Sequence, residues 1–442
     1  MKKLSFQKIF CFLSILFLAS CCIFYGTRFL KLFIDNQKKE KREKDSIVKR
    51  IKESNEDSDT FIKVEDEMYF INKPKNNYIS YSNIIWRIIK VNADNSFTAI
   101  SDNALTSLAF GKEVKYSDSM INKWLNFDET DKYSGILERE LNTPEKYLVK
   151  TETCLDIIDS INNNPCKNVD KSNYLSLLST IDFANIGNKS SFVINDEFFY
   201  LGNINKKNEI WYVTNDGKVT LNSGTDIIGV RPVITIKPNV DYISGDGTSN
   251  DPYVIDGDSL FGSYVKLGND LWRVYEVNGS QLRLMLNDYL KVGENNLTHS
   301  YSSNSSYHND TVNGSLAYYL NHDYYNSLSY KDLITEKKWS NGFYNSSNNY
   351  DYETSLSKEV DTKIATLSIG NIFLNPEFDN FFSMTSTTDN GSIMYTIQKD
   401  KKPYSKSVQA KLNVIPAITI DKNVLKKGNG TINNPYETEK EK

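Results

Sequence analysis

The sequence GDGTSNDPY, residues 245–253, returns 183 residues later as GNGTINNPY, residues 428–436. Both stretches read Gly-x-Gly-Thr, then three residues, then Pro-Tyr. The shared residues are Gly245, Gly247, Thr248, Pro252 and Tyr253 in the first, and Gly428, Gly430, Thr431, Pro435 and Tyr436 in the second. Glycine permits positive φ and proline fixes the exit of the chain, so the spacing predicts one turn used twice. Such a pair predicts a duplicated domain that each turn closes.

Other segments repeat in the same order. YISYSNIIWRIIKVN (78–92) matches YVKLGNDLWRVYEVN (264–278), and their alternating apolar residues predict a strand that begins a hairpin. SDSMINKWLN (117–126) matches VNGSLAYYLN (312–321), which predicts a short capped helix. GVRPVITI (229–236) matches NVIPAITI (413–420) as a closing strand. We therefore predict two tandem α+β domains, residues 61–257 and 258–440.

The order of these motifs resembles a family. A "WR" strand, a "WLN" helix, a "WYV" strand and a closing "GVRP" strand before the Gly-Thr-Pro-Tyr turn look like an uncharacterised domain found on surface-anchored proteins of Gram-positive-type bacteria. The closing strands are in turn similar to C-type-lectin-like domains of the formylglycine-generating-enzyme type. The resemblance implies two copies of a C-type-lectin-like mixed α+β domain behind an N-terminal membrane anchor.

The N-terminus predicts that anchor. Residues 9–27 are 19 residues without a charge, close to the length that crosses a bilayer. Three lysines in residues 1–8 favour a cytoplasmic tail, whereas lysines and arginines just beyond residue 27 argue the other way. The alternatives are a cleaved signal peptide and a lipoprotein processed and lipidated at Cys21. We expect a single-pass membrane protein whose C-terminal domains are extracellular.

Two cysteines support an extracellular location. Cys154 and Cys166 are the only cysteines after the apolar segment, and a close pair in such a chain predicts a disulfide and an oxidising exterior. Two unpaired thiols are the alternative. Residues 28–60 are rich in charges of both signs, and we predict a helical or disordered stalk there.

Motifs for catalysis are missing from the sequence. It has no Gly-x-Ser-x-Gly elbow, P-loop or His-Glu-x-x-His. The three histidines, His299, His308 and His322, have spacings that suit no metal site, and we expect them in exposed loops. Cys154 and Cys166 lie mid-domain, unlike the reactive cysteines of formylglycine-generating enzymes. We expect that the protein is not an enzyme and that it binds no cofactor or metal. Its net charge of −4 gives no indication of a nucleic-acid partner.

Repeated aromatic residues have two interpretations. Trp86, Trp124, Trp211 and Trp272 occupy matched elements, where they either pack in the core or form a platform for sugar rings. Arg231 in "GVRP" is matched by Ile415 in the sequence of the second copy. We expect Arg231 to be buried, structural and paired with a carboxylate. Tyr319 replaces Trp124 and Met394 replaces Trp211, so the copies have diverged.

Three functions remain open at this point. The first is a cell-surface module that binds a glycan, a peptide or a protein, because Tyr-, Ser- and Asn-rich loops make adaptable contact surfaces. The second is an enzyme that acts on cell-wall material, and the third is a structural spacer. A concave site formed by the loops of the first copy would favour binding.

Overall fold

The computed structural model describes residues 46–56, 59–111, 115–126, 137, 140–187, 191–344, 358–388 and 391–439. Within them the chain is mixed α+β, mostly sheets with few helices, which confirms the predicted class. In these ranges no helix has the length and apolar character needed to span a membrane. The predicted anchor, residues 9–27, lies outside the described residues, as does Cys21.

The described part of the first half contains five α-helices, two large sheets and a two-stranded sheet. Its helices are α1 (Ile47–Asn55), α2 (Met120–Asn126), α3 (Pro144–Tyr147), α4 (Thr180–Ile186) and α5 (Ser191–Ile194). Its strands are β1 (Phe61–Val64), β2 (Glu67–Phe70), β3 (Tyr78–Tyr81), β4 (Ile84–Val91), β5 (Phe97–Ser101), β6 (Thr106–Ala109), β7 (Leu148–Val149), β8 (Thr153–Cys154), β9 (Val169–Asp170), β10 (Leu175–Leu177), β11 (Phe199–Ile204), β12 (Ile210–Val213), β13 (Val219–Asn222), β14 (Ile227–Val230), β15 (Pro232–Ile236) and β16 (Tyr253–Val254).

The second half is poorer in helix. Its helices are α6 (Leu316–Tyr318), which continues through a π-helical stretch (Tyr319–Tyr324), and α7 (Tyr325–Ser327). Its strands are β17 (Tyr264–Leu267), β18 (Asp270–Asn278), β19 (Gln281–Leu286), β20 (Lys291–Val292), β21 (Asn295–Asn296), β22 (Thr298–Ser300), β23 (Lys337–Ser340), β24 (Glu359–Thr362), β25 (Ile364–Thr366), β26 (Phe381–Ser386), β27 (Ile393–Ile397), β28 (Pro403–Ser407), β29 (Lys411–Asn413), β30 (Pro416–Asp421), β31 (Leu425–Lys427) and β32 (Tyr436–Thr438).

Both halves contain the same pair of sheets. The larger sheet runs β16-β3-β4-β5-β15-β10 in the first half and β32-β17-β18-β19-β30-β25 in the second. The pairs β16-β3 and β32-β17 are parallel. The smaller sheet runs β13-β12-β11-β14-β6 in the first half and β28-β27-β26-β29-β22 in the second. The strand that holds Trp86 and the strand that holds Trp272 therefore occupy equivalent positions.

The register agrees as well as the order. The coinciding pairs are Trp86–Ser101 with Trp272–Leu286, and Val233–Ile100 with Ala417–Met285. Each "WR" strand also carries a bulge at the same place, after Ile88 and after Val274. A one-residue slip would turn every side chain to the other face, so this agreement fixes which residues of each half point into the core.

One sequence match is wrong by a residue. Ile210 pairs with Ile204, and Met394 pairs with Ser386 at the same step of the second hairpin. Met394 is therefore the counterpart of Ile210, and Tyr395 takes the place of Trp211. The connection between the two strands is longer in the second half, and an alignment without a gap cannot account for that.

The repeated turn joins the end of each half to its beginning. The amide of Tyr78 donates to the carbonyl of Gly247 (2.9 Å), and the amide of Tyr264 donates to that of Gly430 (2.8 Å). Gly247 has φ +83°, and a Cβ there would lie 2.2 Å from the ring of Tyr253. The turn needs glycine for both reasons.

The asparagine of each "WLN" or "YLN" helix holds a strand. The side chain of Asn126 accepts from the amide of Leu175 (3.1 Å) and donates to its carbonyl (3.0 Å). Asn321 makes the same two bonds with Ile364, each 2.9 Å. The helix is thereby fixed to the last strand of the larger sheet, β10 or β25.

The halves share a core. One cluster of buried apolar residues contains most of the first core together with Ile369, Ile372, Phe373 and Leu374 of the second half. These residues follow β25, where the first half instead forms α4 after β10. The amide of Phe373 donates to the carbonyl of Leu105 (2.6 Å) across the boundary. The second half has a core of its own, but that of the first half is completed by the second.

The end of the predicted stalk belongs to the first half. Helix α1 buries Ile47, Val48 and Ile51 against the first core. Asn55, fully buried, donates to the carbonyl of Lys75 (3.0 Å) and accepts from its amide (2.9 Å). The packed structure thus begins no later than residue 46, whereas the sequence placed the boundary at residue 61.

His308 corrects another expectation, because it is buried and not exposed. Its side chain is 1 % exposed and packs beside Tyr301. Burial lowers the pKa of His308 to about 4 from 6.5. Since the folded state then binds a proton less readily than the unfolded state, stability falls as the pH drops from about 6.5 to about 4.

We predict that His308 accounts for about 3 kcal/mol of the stability lost over this pH interval. Urea unfolding of the His308→Leu protein at several pH values from 7.5 to 4 should show a shallower loss than the unmodified protein. His322→Asn, which changes an exposed histidine, should leave the pH dependence unchanged. Equal pH dependence in all three proteins would show that His308 is not buried in its neutral form.

Candidate functional site: a polar cleft of the first half

The four tryptophans singled out in the sequence are all buried. Each indole N–H has an acceptor within the protein: the carbonyls of Tyr81, Gly370 and Ile158 for Trp86, Trp124 and Trp211, and the hydroxyl of Tyr330 for Trp272. Trp86, Trp124 and Trp272 are 0 % exposed and Trp211 is 8 % exposed. These rings have no free face for a sugar, so the platform interpretation gains no support.

Arg231 is fully buried, but its partners differ from those expected. Its guanidinium donates to the carbonyl of Ser101 (3.0 and 2.7 Å), to that of Asp102 (3.0 Å) and to that of Val193. No carboxylate of the described residues lies within ion-pair distance of it. Burial lowers the pKa of Arg231, while the charge of Glu197 raises it. The expected carboxylate contact is wrong, because backbone carbonyls satisfy the guanidinium.

Cys154 and Cys166 form the predicted disulfide. The loop that they close rests on the smaller sheet, where Trp211 donates to the carbonyl of Ile158 (2.8 Å) and Asn203 donates to that of Asp156 (3.0 Å). Cys154, Asp156 and Cys166 lie close enough to suggest a metal site, but both sulfur atoms are used in the disulfide. The role of Trp211 is therefore to hold this loop.

The disulfide loop forms one wall of a cleft of about 620 Å³. The N-terminal hairpin β1–β2 and the helix α4 contribute to other walls, and the floor is the larger sheet. Its uncharged polar lining consists of Asn92, Ser96, Thr98, Thr151, Asn163, Ser179, Asn185 and Thr235. The volume lies within the range of small-molecule sites. This is the concave site that the sequence left open.

Four side chains from three elements meet in the cleft. Lys90 on β4 lies 3.2 Å from Glu67 on β2 and 3.3 Å from Asp182 on α4. The hydroxyl oxygen of Tyr69 lies 2.8 Å from Glu67 and 2.9 Å from Asp182, so the two carboxylates share its single proton. The two carboxylates are thus joined by a cation and by a phenol, which places β2, β4 and α4 relative to one another.

The charges of this cluster are settled by its neighbours. Burial by itself lowers the pKa of Lys90, but the carboxylates of Asp182 and Glu67 outweigh it and raise the pKa above the ordinary value. Burial and the same carboxylates raise the pKa of Tyr69. Both groups therefore keep their protons at neutral pH and act as hydrogen-bond donors. A lysine held protonated in this way is not a nucleophile.

Asn185 on α4 supplies the group that most directly suggests a ligand. Its side chain is 6 % exposed, and its buried Oδ1 accepts no hydrogen bond from the described residues. A buried acceptor without a partner is costly, on the order of 1–3 kcal/mol, unless water or a ligand donates to it. Asn185 lines the cleft, so this acceptor lies within the cleft wall.

The second half lacks this site. Glu276 takes the position of Lys90 in the matched strand and pairs instead with Arg283 (3.7 Å). In its described residues nothing corresponds to the hairpin β1–β2, to α4 or to the disulfide. Among the described residues the walls of the cleft therefore belong to the first half alone, whereas its floor, the larger sheet, has an equivalent in the second half.

Sequence reasoning missed this cluster. Its members are 23 and 92 residues apart along the chain, so no local motif contains them. One signal was present: Lys90 interrupts the apolar strand IIWRIIKV at a position where the matched strand has an acidic residue. A change of charge sign at a buried strand position indicates that the two halves surround it differently.

Comparison with known proteins gives no relative for the chain. No protein-family model, no curated protein and no solved structure matches it significantly.

We predict that Lys90→Met destabilises the protein by about 2–4 kcal/mol, because two partly buried carboxylates then face each other without a cation. Glu276→Gln, at the matched position of the second half, should cost less than about 1 kcal/mol, since its ion pair is longer and partly exposed to solvent. Urea unfolding monitored by tryptophan fluorescence measures both. Similar costs for the two variants would contradict the assigned role of Lys90.

Proposed function

We propose that the chain is a membrane-anchored cell-surface protein of a bacterium, and that the cleft of its first half binds a glycan. The observation that carries this proposal is the buried Oδ1 of Asn185, which accepts no hydrogen bond from the described residues, in a cleft lined by asparagine, serine and threonine side chains. Sugar hydroxyls both donate and accept hydrogen bonds, so they suit such a lining.

The charges of the cleft favour a neutral ligand over an anionic one. Lys90 pairs with Glu67 and Asp182, and Lys171 pairs with Glu152 at the rim. The cleft lining holds five carboxylates and three lysines, so it does not attract an anion. A neutral, hydroxyl-rich molecule requires no ion pair to be broken.

The surface location rests on the disulfide and on the N-terminal sequence. Disulfides persist outside the cytoplasm, and Cys154–Cys166 closes the loop that forms the cleft wall. Residues 9–27 remain the proposed anchor, with lipidation at Cys21 as the alternative. The resemblance to surface-anchored tandem domains agrees with this location and is part of the proposal.

A glycan array probed with the purified protein tests the binding function. We expect a restricted set of neutral glycans to bind, and Asn185→Leu to abolish the binding because it removes the acceptor while keeping the size of the side chain. Asn313→Leu, an exposed asparagine of the second half, serves as the matched control and should bind normally.

Two outcomes would overturn the proposal. If no glycan binds but a peptide library does, the cleft recognises peptides. If neither binds, and the protein only extends from the membrane, the spacer function stands. Digestion of residues 46–439 by protease added to intact cells tests the location separately, and full protection would contradict it.

A further inference from the structure

A second cavity, of about 270 Å³, lies between the two halves. Ile84 and Leu105 of the first half and Phe373 and Leu374 of the second form its apolar lining. Polar groups lie among them, and the most prominent is Arg273, the arginine of the second "WR" strand. A mostly apolar cavity with a few converging polar groups is the usual form of a site for a small organic molecule.

Arg273 is held by three carbonyl oxygens. Its Nε donates to Gly262 (3.1 Å), its Nη1 to Leu374 (2.7 Å) and its Nη2 to Asn83 (2.7 Å). A guanidinium has five N–H groups, with two on each terminal nitrogen. One N–H therefore remains on Nη1 and one on Nη2. Two N–H groups on neighbouring nitrogens can donate to both oxygens of one carboxylate.

The matched arginine of the first half shows what Arg273 lacks. Arg87 lies 3.4 Å from the carboxylate of Asp102 and stacks on Tyr78. Arg273 stacks on the matched Tyr264, but no carboxylate of the described residues lies within ion-pair distance of it. Burial lowers the pKa of Arg273, and the neighbouring phenol of Tyr264 only partly opposes that effect. Arg273 is half-buried, so a partly desolvated cation stands there without an anion from the described residues.

Other donors line the same cavity. The amide oxygen of Asn103 accepts from Asn195 (3.0 Å), but its amide nitrogen donates to no described residue. The hydroxyl of Ser80 likewise has no hydrogen-bond partner in the described part of the chain. The cavity thus combines an unpaired cation and spare donors with an apolar wall.

We propose that this cavity binds a small organic acid with an apolar body, whose carboxylate sits on the free N–H groups of Arg273. The apolar part lies against Leu105 and Phe373. Because the lining comes from both halves, the bound acid holds them together, and it stabilises the folded protein by mass action. This site is separate from the cleft that holds Lys90, and neither proposal depends on the other.

The test compares acids with their neutral amides on the unmodified full chain. Benzoate and hexanoate are the probes, and benzamide and hexanamide are their neutral counterparts of the same shape. Isothermal titration and thermal unfolding should show that at least one acid binds, and that its amide binds at least about tenfold more weakly, because a charge-assisted pair is lost. Equal binding of acid and amide, or no binding of either acid, would overturn the proposal.

Variants then assign the contact to Arg273. Arg273→Met keeps the length of the side chain and should remove the preference for acid over amide, whereas Arg273→Lys should retain part of it. Arg87→Met, at the matched position outside the cavity, should keep the full preference even if it lowers stability. A preference unchanged in Arg273→Met would show that the acid binds elsewhere. If Arg273→Met does not fold, the comparison on the unmodified chain still decides.

Discussion

A single backbone hydrogen bond defines the frame of each half, from the opening tyrosine amide to the second glycine carbonyl of the closing turn. It joins Tyr78 to Gly247 and Tyr264 to Gly430. Since these partners are about 170 residues apart in sequence, closing the chain between them costs conformational entropy, which pairing of the strands in between reduces. Next to this hydrogen bond the strand that follows the turn pairs in parallel with the strand that begins at the tyrosine, β16 with β3 and β32 with β17. The turn is repeated because each half must be closed in this way.

The two halves share this arrangement of strands but differ in the segment that follows β10 or β25. After β10 the first half forms α4, which carries Asp182 and Asn185 into the polar cleft. At the same point the second half runs through Ile369, Ile372 and Phe373 into the core of its neighbour. Trp124 shows how close the contact is, because its indole N–H donates to Gly370 across the boundary (2.9 Å). In the first half this segment lines the polar cleft. In the second half its counterpart packs into the core of the first half.

Local chemistry explains which features the sequence could predict. The glycines of the turn, the "WR" alternation and the cysteine pair each depend on neighbouring residues, and a single stretch of sequence contains them. The match of Trp211 with Met394 failed because a longer connection shifted the register, which no local pattern records. Arg231 was correctly expected to be buried, but carbonyl oxygens satisfy it as well as a carboxylate would.

The cleft and the shared core depend on contacts between distant residues, and the sequence does not display them. Lys90 meets Glu67 and Asp182 only when the hairpin, the sheet and α4 are assembled. The apolar segment near Phe373 follows β25 as α4 follows β10, but it packs against Leu105 of the other half. Burial in a neighbouring domain leaves the same apolar composition as burial in the residue's own domain, so composition does not distinguish them.

The dependence of the first half on the second is the central claim, and urea unfolding of a chain of residues 46–257 tests it most directly. We predict that this chain is less stable than the same residues within the chain 46–442, by at least about 3 kcal/mol, because Trp124 and its apolar neighbours become exposed to solvent when the second half is removed. We also predict binding of a dye specific for exposed apolar surface. If residues 46–257 unfold with the midpoint and slope that they show in the longer chain, the shared core does not exist.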